Sequence, residues 1–177
     1  MKATFFKKLL AVLIAIFCIQ IALNVWLISK LQPLYINIPT VKEGVKEGMI
    51  PSGYVQANVS IANDSMILIS GCRALSIAIS SDQANSIKTG LSGETGPRPL
   101  THDMAIDIMR FFGIDVLAAR VDRLEGQTYY GRLLLSSQNR QLSLDVRPSD
   151  AAAIAVRLGI PLWINESLLA YGEDICS

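Results

Sequence analysis

The segment DVRPSDAAAIAVRLGIP, residues 145–161, contains the clearest boundary between a strand and a helix in the chain. Proline is favoured in the first turn of a helix, where an N–H group would have no intrahelical partner, so a helix is expected to begin at Pro148. Residues 151–158 are rich in alanine, the strongest helix former, and Gly159 is suited to end the helix. The segment therefore predicts a strand, a helix and then a short strand over residues 162–164.

Strand patterns occur in two groups before this segment. Residues 54–61 alternate apolar and polar side chains, which is typical of a half-buried strand, and residues 66–69 predict a second, shorter strand. Residues 116–124, 128–135 and 141–146 predict three strands joined by two short turns. Turns this short favour antiparallel pairing between the strands that they join.

Two further helices are predicted between these groups of strands. Residues 72–88 space their apolar side chains as an amphipathic helix does. A second helix is expected after Thr101, which could serve as its N-cap, and Gly113 suits its C-terminal end. The apolar stripe of this helix consists of Met104, Ile108, Phe111 and Phe112. Strands and helices are partly segregated, which predicts an α+β fold with a mixed, largely antiparallel sheet and three main helices.

The first 30 residues predict a transmembrane helix that precedes this domain. Residues 9–28 carry no charge, and as a helix they are long enough to span a hydrocarbon core of about 30 Å. Three lysines before residue 9 outnumber Lys30 after the apolar stretch, so the positive-inside rule places the N-terminus in the cytoplasm and the domain outside it. A cleaved signal peptide is the alternative, although bulky residues such as Trp26 do not suit a cleavage site.

The predicted organisation follows from these boundaries. Residues 1–30 form a membrane anchor, residues 31–53 a linker rich in proline and glycine, residues 54–170 the folded domain, and residues 171–177 a tail.

Charge and cysteine content narrow the classes of function. Beyond residue 8 the chain has 13 basic and 15 acidic side chains, so it lacks the excess of positive charge that drives tight, non-specific nucleic-acid binding. No cysteine or histidine spacing matches a structural zinc site. Cys72 and Cys176 are the two cysteines of the predicted domain and its tail, and they could form a disulfide in an oxidising compartment.

Two strings together resemble the signature blocks of the bifunctional nuclease domain family: RPLTHD, residues 98–103, and DVRPSDAAAIAVR, residues 145–157. ISGCRALSIAI, residues 69–79, resembles an earlier block, and the resemblance extends over about residues 54–169. The loop over residues 80–97 is several residues longer than is usual in the family. The resemblance implies an α+β fold that often forms homodimers, and a nuclease that acts on both DNA and RNA.

The residues of these strings suggest a division of roles. His102 is the only histidine, and in the first turn of a helix the dipole disfavours its cationic form, so a neutral ring could act as a general base or a metal ligand. Arginine at a helix N-terminus suits a phosphate group, and carboxylates suit a hard cation such as Mg²⁺. The predicted site consists of the catalytic residues His102, Asp103 and Asp150, the substrate-binding residues Arg98, Arg147 and Ser149, and the metal ligands Asp103, Asp145 and Asp150.

Each of these residues also has a structural explanation. Asp150 can cap a helix, Asp103 suits the positive end of a helix dipole, and Asp107 can pair with Arg110. An ion pair between Arg98 and Asp150 would join the two strings without any catalysis. Two hypotheses therefore stand: a membrane-anchored nuclease that hydrolyses DNA or RNA, and a non-catalytic binding or assembly module. Convergence in an open cleft favours the first, and burial in mutual ion pairs favours the second.

Overall fold

The computed structural model describes residues 17, 19–24, 50–94 and 96–176. In this part of the chain we find no helix with the length and apolar character needed to cross a membrane. Most of the predicted anchor, residues 1–30, lies outside the described residues, and so does most of the predicted linker, residues 31–53.

Among the described residues, the folded domain contains one eight-stranded sheet and three α-helices. The strands are β1 (Tyr54–Ala62), β2 (Ser65–Ser70), β3 (Arg73–Ala78), β4 (Asp115–Glu125), β5 (Thr128–Ser137), β6 (Arg140–Val146), β7 (Leu162–Asn165) and β8 (Glu173–Asp174). The helices are α1 (Ser81–Ser92), α2 (Thr101–Phe111) and α3 (Pro148–Leu158), with a 3₁₀ helix at Glu166–Tyr171. The strand order is β6-β5-β4-β7-β1-β2-β3-β8, in which β4 and β7 pair in parallel and the other neighbours are antiparallel. The predicted α+β class with a mixed sheet is confirmed.

One face of the sheet carries the hydrophobic core. Ala119 of β4 lies opposite Leu162 of β7, and Val121 lies opposite Ile164, so these four buried side chains share a face. Helix α3 packs on this face through a nearly continuous run of buried residues from Ser149 to Ala155, most of them alanine. Small side chains let the helix approach the strands closely, which is why an alanine-rich segment lies at the centre of the fold.

The other face of the sheet carries a polar cluster where β4 and β5 meet. The Asp122 carboxylate accepts hydrogen bonds from Tyr54 Oη at 3.0 Å and from Arg132 Nε at 2.8 Å. Arg120 Nη2 also donates to this carboxylate, at 3.3 Å. A carboxylate that is only 10% exposed is thereby paired with two guanidinium groups, as a buried charge requires.

The predicted helix over residues 72–88 is wrong in its first half. Arg73–Ala78 is strand β3, in which Leu75 pairs with Leu68 of β2 and is buried, while Ser76 on the other face is exposed. Residues with a helical preference take the strand conformation here because β2 supplies a pairing partner and a core for every second side chain. Helix α1 begins only after Ser80, whose hydroxyl accepts from the Gln83 N–H while the Gln83 side chain accepts from the Ser80 N–H.

Helix α2 lies where the sequence predicts it, but its apolar stripe does not face the core. The four residues of the stripe are 49–84% exposed: Met104, Ile108, Phe111 and Phe112. Ile106 is the buried residue of the helix instead. Thr101 is the first helical residue rather than the N-cap, and Leu100 takes the capping position.

The C-terminus is fixed to the β2–β3 hairpin by three interactions. Residues 171–177, predicted as a tail, contribute strand β8, which pairs with β3, and a disulfide joins Cys176 to Cys72. The Arg73 guanidinium donates to the carbonyl oxygens of Leu169 and Gly172 at 3.0–3.1 Å. A Cβ at Gly172 would lie 2.5 Å from the Ala74 carbonyl oxygen, so only glycine fits at this contact. A disulfide that closes a loop of this length, with a sequence separation of 104, stabilises a fold by about 4 kcal/mol.

Candidate functional site

The two strings of the sequence meet at the N-termini of α2 and α3. Arg147 is the N-cap of α3 and reaches forward to Asp150 in the first turn, with Nε 2.8 Å from Oδ2 and Nη2 3.1 Å from Oδ1. This is a bidentate pair, the strongest geometry available to arginine and a carboxylate. The Arg147 side chain is nevertheless 68% exposed, whereas that of Asp150 is 23% exposed. The guanidinium is therefore accessible from solvent while its partner is held in the protein.

His102, in the first turn of α2, connects this pair to α1. Its Nε2 atom lies 3.3 Å from Asp150 Oδ1, and its Nδ1 atom lies 2.8 Å from the hydroxyl oxygen of Ser86. The His102 side chain is 17% exposed, and Ser86 is 7% exposed. The only histidine of the chain thus has a hydrogen-bond partner at each ring nitrogen, one buried and one close to the surface.

Arg157, near the end of α3, donates hydrogen bonds on the buried side of this cluster. Its Nη2 donates to Ser86 Oγ at 3.3 Å, and its Nε donates to Asp103 Oδ1 at 2.6 Å. Arg157 is 7% exposed in its side chain, so its charge needs this partner. A Cβ on Gly90 would lie 2.9 Å from Arg157 Nη1, which shows how closely α1 approaches α3 at this point.

Asp103 has a structural role in this arrangement. Its second oxygen, Oδ2, accepts the Leu100 N–H at 2.8 Å, so both oxygens already have partners. The hydrogen bond from Arg157 is the main reason that the pKa of Asp103 is lowered. Asp103 thereby caps α2 and ties its first turn to α3, as the structural alternative expects.

The other predicted site residues form no side-chain hydrogen bond with this cluster among the described residues. Arg98 is exposed, and in the described part of the chain it has no hydrogen bond with Asp150. Ser149 is buried at 4% exposure. Asp145 lies opposite Arg132 on the face of the sheet that carries the polar cluster, whereas α3 covers the other face. Within residues 50–94 and 96–176, no group of three or more His, Cys, Asp or Glu side chains is placed to hold a metal ion.

Two residues of the cluster are not predicted from the sequence. Arg157 belongs to the second string. In the folded α3 it lies at the opposite end of the helix from Arg147, and its role depends on that position. Ser86 carries no sequence signal, because it is one of several serines in a segment that was expected to continue a helix from residue 72. The exposed pair that the sequence does predict, Asp107 with Arg110, is confirmed at 3.8 Å.

Comparisons with known proteins agree with this architecture. The protein-family model described as "Bifunctional nuclease domain" matches residues 67–174. An uncharacterized protein of Mycobacterium tuberculosis is 36% identical over 100 residues, which cover 56% of this chain and 59% of that protein. Bifunctional nuclease 1 of Arabidopsis thaliana is 34% identical over 81 residues, or 44% of this chain and 25% of the relative. Bifunctional nuclease 1 of Oryza sativa subsp. indica is 31% identical over 82 residues, which cover 45% of this chain and 24% of that protein.

The fold is an α+β domain built on a mixed sheet. His102, Arg147 and Asp150 lie together at the N-termini of two of its helices. The chain belongs to the bifunctional nuclease domain family. The matched segments span less than two thirds of the length of these relatives, so the family assignment applies to the domain and not to the whole of those proteins.

The carboxylate of Asp150 predicts how the stability of the domain depends on pH. Burial alone would raise the pKa of Asp150, but hydrogen bonds from His102 and Arg147 outweigh it and lower the pKa from 3.8 to about 2. A depressed pKa contributes stability above the ordinary value that is lost as pH falls toward the folded value. We expect wild type to lose about 2 kcal/mol of unfolding free energy between about pH 5 and pH 2 through this group, and Asp150→Asn to lack that loss.

Chemical denaturation of the purified chain over this pH range measures the effect. Asp107→Asn removes a carboxylate that is 71% exposed and is the matched control. A pH-dependent difference of the same size in the control would attribute the loss to net charge instead of the cluster.

Proposed function

We propose that this chain is a nuclease that hydrolyses phosphodiester bonds of DNA or RNA, with the cluster of His102, Arg147 and Asp150 as its site. The observation that carries the proposal is the exposed bidentate arginine of α3 next to the single histidine. Membership of a family whose plant relatives bear the name bifunctional nuclease supports the same chemistry. Nucleic acid is therefore the proposed partner of this surface.

Arg147 is the proposed phosphate-binding residue. A guanidinium matches two oxygens of a phosphate as well as it matches a carboxylate, so a phosphodiester can replace Asp150 as its partner. The Arg147 side chain is 68% exposed, so it can exchange Asp150 for a phosphate without leaving solvent. Asp150 stays in place because it belongs to the first turn of α3.

His102 is the proposed catalytic residue, and Asp150 orients it. Water adds to phosphorus in this reaction, one bridging P–O bond breaks, and the proton from water ends on the leaving oxygen. A divalent ion such as Mg²⁺ at Asp150 would have to displace Arg147, so we propose that Arg147 supplies the positive charge for the phosphate. The ligand set Asp103, Asp145 and Asp150 remains a prediction, to be examined by adding metal in the assay.

A specific observation also favours the second hypothesis, a binding or assembly module. Asp103 pairs with Arg157 and so connects α2 to α3, and Asp150 pairs with Arg147 within α3. Groups that are fully satisfied by one another need no substrate to explain them. This reading assigns the cluster to the stability of the fold and leaves binding to another surface.

The first test compares cleavage of single-stranded DNA and RNA by the full-length chain, with and without Mg²⁺. Removing the exposed guanidinium in Arg147→Ala should weaken binding, and His102→Ala should lower the turnover rate by about 10² to 10³-fold. Asp107→Ala, an exposed change on the same helix as His102, is the control and should leave cleavage unchanged. Cleavage that persists in His102→Ala, or no cleavage by wild type, would favour the binding module.

We propose that the chain is a single-pass membrane protein with a cytoplasmic N-terminus and its domain outside the cytoplasm. The disulfide between Cys72 and Cys176 supports this, because such bonds form and persist in oxidising compartments. The lysines before residue 9 support the orientation.

Fusions to alkaline phosphatase, an enzyme that is active only outside the cytoplasm, test the orientation. We expect high activity for a fusion after Ser177 in cells, with the activity recovered in the membrane fraction. An inactive fusion at Ser177 would place the domain in the cytoplasm, and an active one in the soluble fraction would indicate a cleaved signal peptide.

We also propose that the domain forms a homodimer, as the resemblance implies. The exposed apolar stripe of α2 supports this, since Phe111 and Phe112 are 84% and 67% exposed in the single chain. We expect light scattering to show twice the mass of one chain, and Phe111→Ser to shift it toward the monomer. A monomeric wild type would contradict the proposal, and Tyr171→Ser, which alters another exposed aromatic residue, is the control.

A further inference from the structure

The hydrogen bonds around His102 determine which of its ring nitrogens carries the proton. Arg157 Nη2 lies 3.3 Å from Ser86 Oγ, and Ser86 Oγ lies 2.8 Å from His102 Nδ1. A guanidinium can only donate, so the serine oxygen accepts from Arg157 and its hydroxyl hydrogen remains to be donated. Nδ1, at 2.8 Å, is placed to accept that hydrogen. When it does so, Nδ1 carries no proton, and a neutral ring has its proton on Nε2.

The opposite side of the ring leads independently to the same assignment. Asp150, whose pKa is about 2, is ionised at neutral pH and can only accept. His102 Nε2, 3.3 Å from Asp150 Oδ1, must then donate. Turning the ring by 180° would place carbon atoms opposite both oxygens, so these hydrogen bonds also fix the ring orientation.

We infer that Ser86 and Arg157 are positioning residues that hold His102 in the neutral Nε2–H form, so that it acts on a phosphodiester as a hydrogen-bond donor. This inference rests on the proposed function for the identity of the substrate. It assigns His102 the stabilisation of negative charge on a phosphoryl oxygen in the transition state. No proton leaves the ring in this step, so the ring does not need to become an anion.

Burial determines which ring atom can reach a substrate. Nδ1 faces Ser86 of α1, which is 7% exposed and accepts a hydrogen bond from Arg157 of α3. Nε2 faces Asp150 and the exposed Arg147. A phosphate oxygen held by Arg147 approaches the Nε2 side, where it can replace Asp150 Oδ1 as the acceptor of the Nε2–H, whereas Nδ1 is already bonded to Ser86. General-base catalysis by Nδ1, which the sequence left open, does not fit this arrangement.

Nitrogen-15 NMR of the full-length chain tests the assignment without any need for activity. The chain has one histidine, so histidine labelling of a protein without a histidine tag reports on His102 alone. At pH 8 we expect a protonated Nε2 and an unprotonated Nδ1 that accepts a hydrogen bond from Ser86. A protonated Nδ1 in the wild-type chain would overturn the inference.

Variants separate the contribution of Ser86 from that of Asp150. In Asp150→Ala the Nε2–H form should persist, because Ser86 still donates to Nδ1. In the double variant Ser86→Ala/Asp150→Ala both forms should appear, whereas Ser92→Ala/Asp150→Ala, a control on the same helix, should match Asp150→Ala. A mixture already present in Asp150→Ala would show that Ser86 does not position the ring. If the alanine variants do not fold, the wild-type spectrum alone decides which nitrogen carries the proton.

Replacement of His102 by amides tests the consequence for catalysis. A glutamine side chain can place a donor N–H near the position of Nε2 but cannot accept a proton, so His102→Gln should retain cleavage to within about tenfold of wild type. His102→Asn, which reaches only the Nδ1 position, should lose about 10² to 10³-fold, as His102→Ala does. Equal loss in the glutamine and alanine variants would overturn the donor role. Absence of nuclease activity in wild type would reject the proposed function, whereas the NMR result would still decide the position of the proton.

Discussion

The close contact between α1 and α3 is the constraint on which the rest of the site depends. At Gly90 an added Cβ would lie 2.6 Å from Val156 Cγ2, so the Val156 side chain of α3 packs directly against the backbone of α1. This contact brings Ser86 within reach of Arg157, and Arg157 in turn binds Asp103 at the start of α2. The position of α2, and hence of His102, therefore depends on the packing of α1 against α3.

The electrostatics of the site follow from a gradient of exposure across it. Arg157 is buried and bound on its inner side, Asp150 is intermediate, and Arg147 extends into solvent. Charge that is buried needs a permanent partner, whereas charge in solvent can change partners at little cost. One network of ion pairs can thus stabilise the fold at its buried end and bind an anion at its exposed end. The structural and the functional explanations of these residues are therefore compatible.

The sequence predicts the parts of the fold that local rules control. Pro148 and Gly159 mark both ends of α3 as expected, because helix termini depend on a few neighbouring residues. The prediction fails at Arg73–Ala78, where pairing with β2 overrides a helical preference, and at the apolar stripe of α2, whose burial depends on how the helix docks. For the site, His102, Arg147 and Asp150 are found in one cluster, whereas Ser86 is missed because its partners come from two other helices.

The disulfide makes most of the domain a covalent ring. The chain between Cys72 and Cys176 includes the three helices of the domain and six of its strands, β3 to β8, so every residue of the cluster lies within one closed loop. A single break of the backbone anywhere in that loop would leave both pieces joined, and the helices that form the cluster would stay connected to the sheet. A proteolytic cut at the turn between β4 and β5, for example, would therefore leave the two pieces of the domain joined by the disulfide. The same cut in a chain without the disulfide would give two separate fragments.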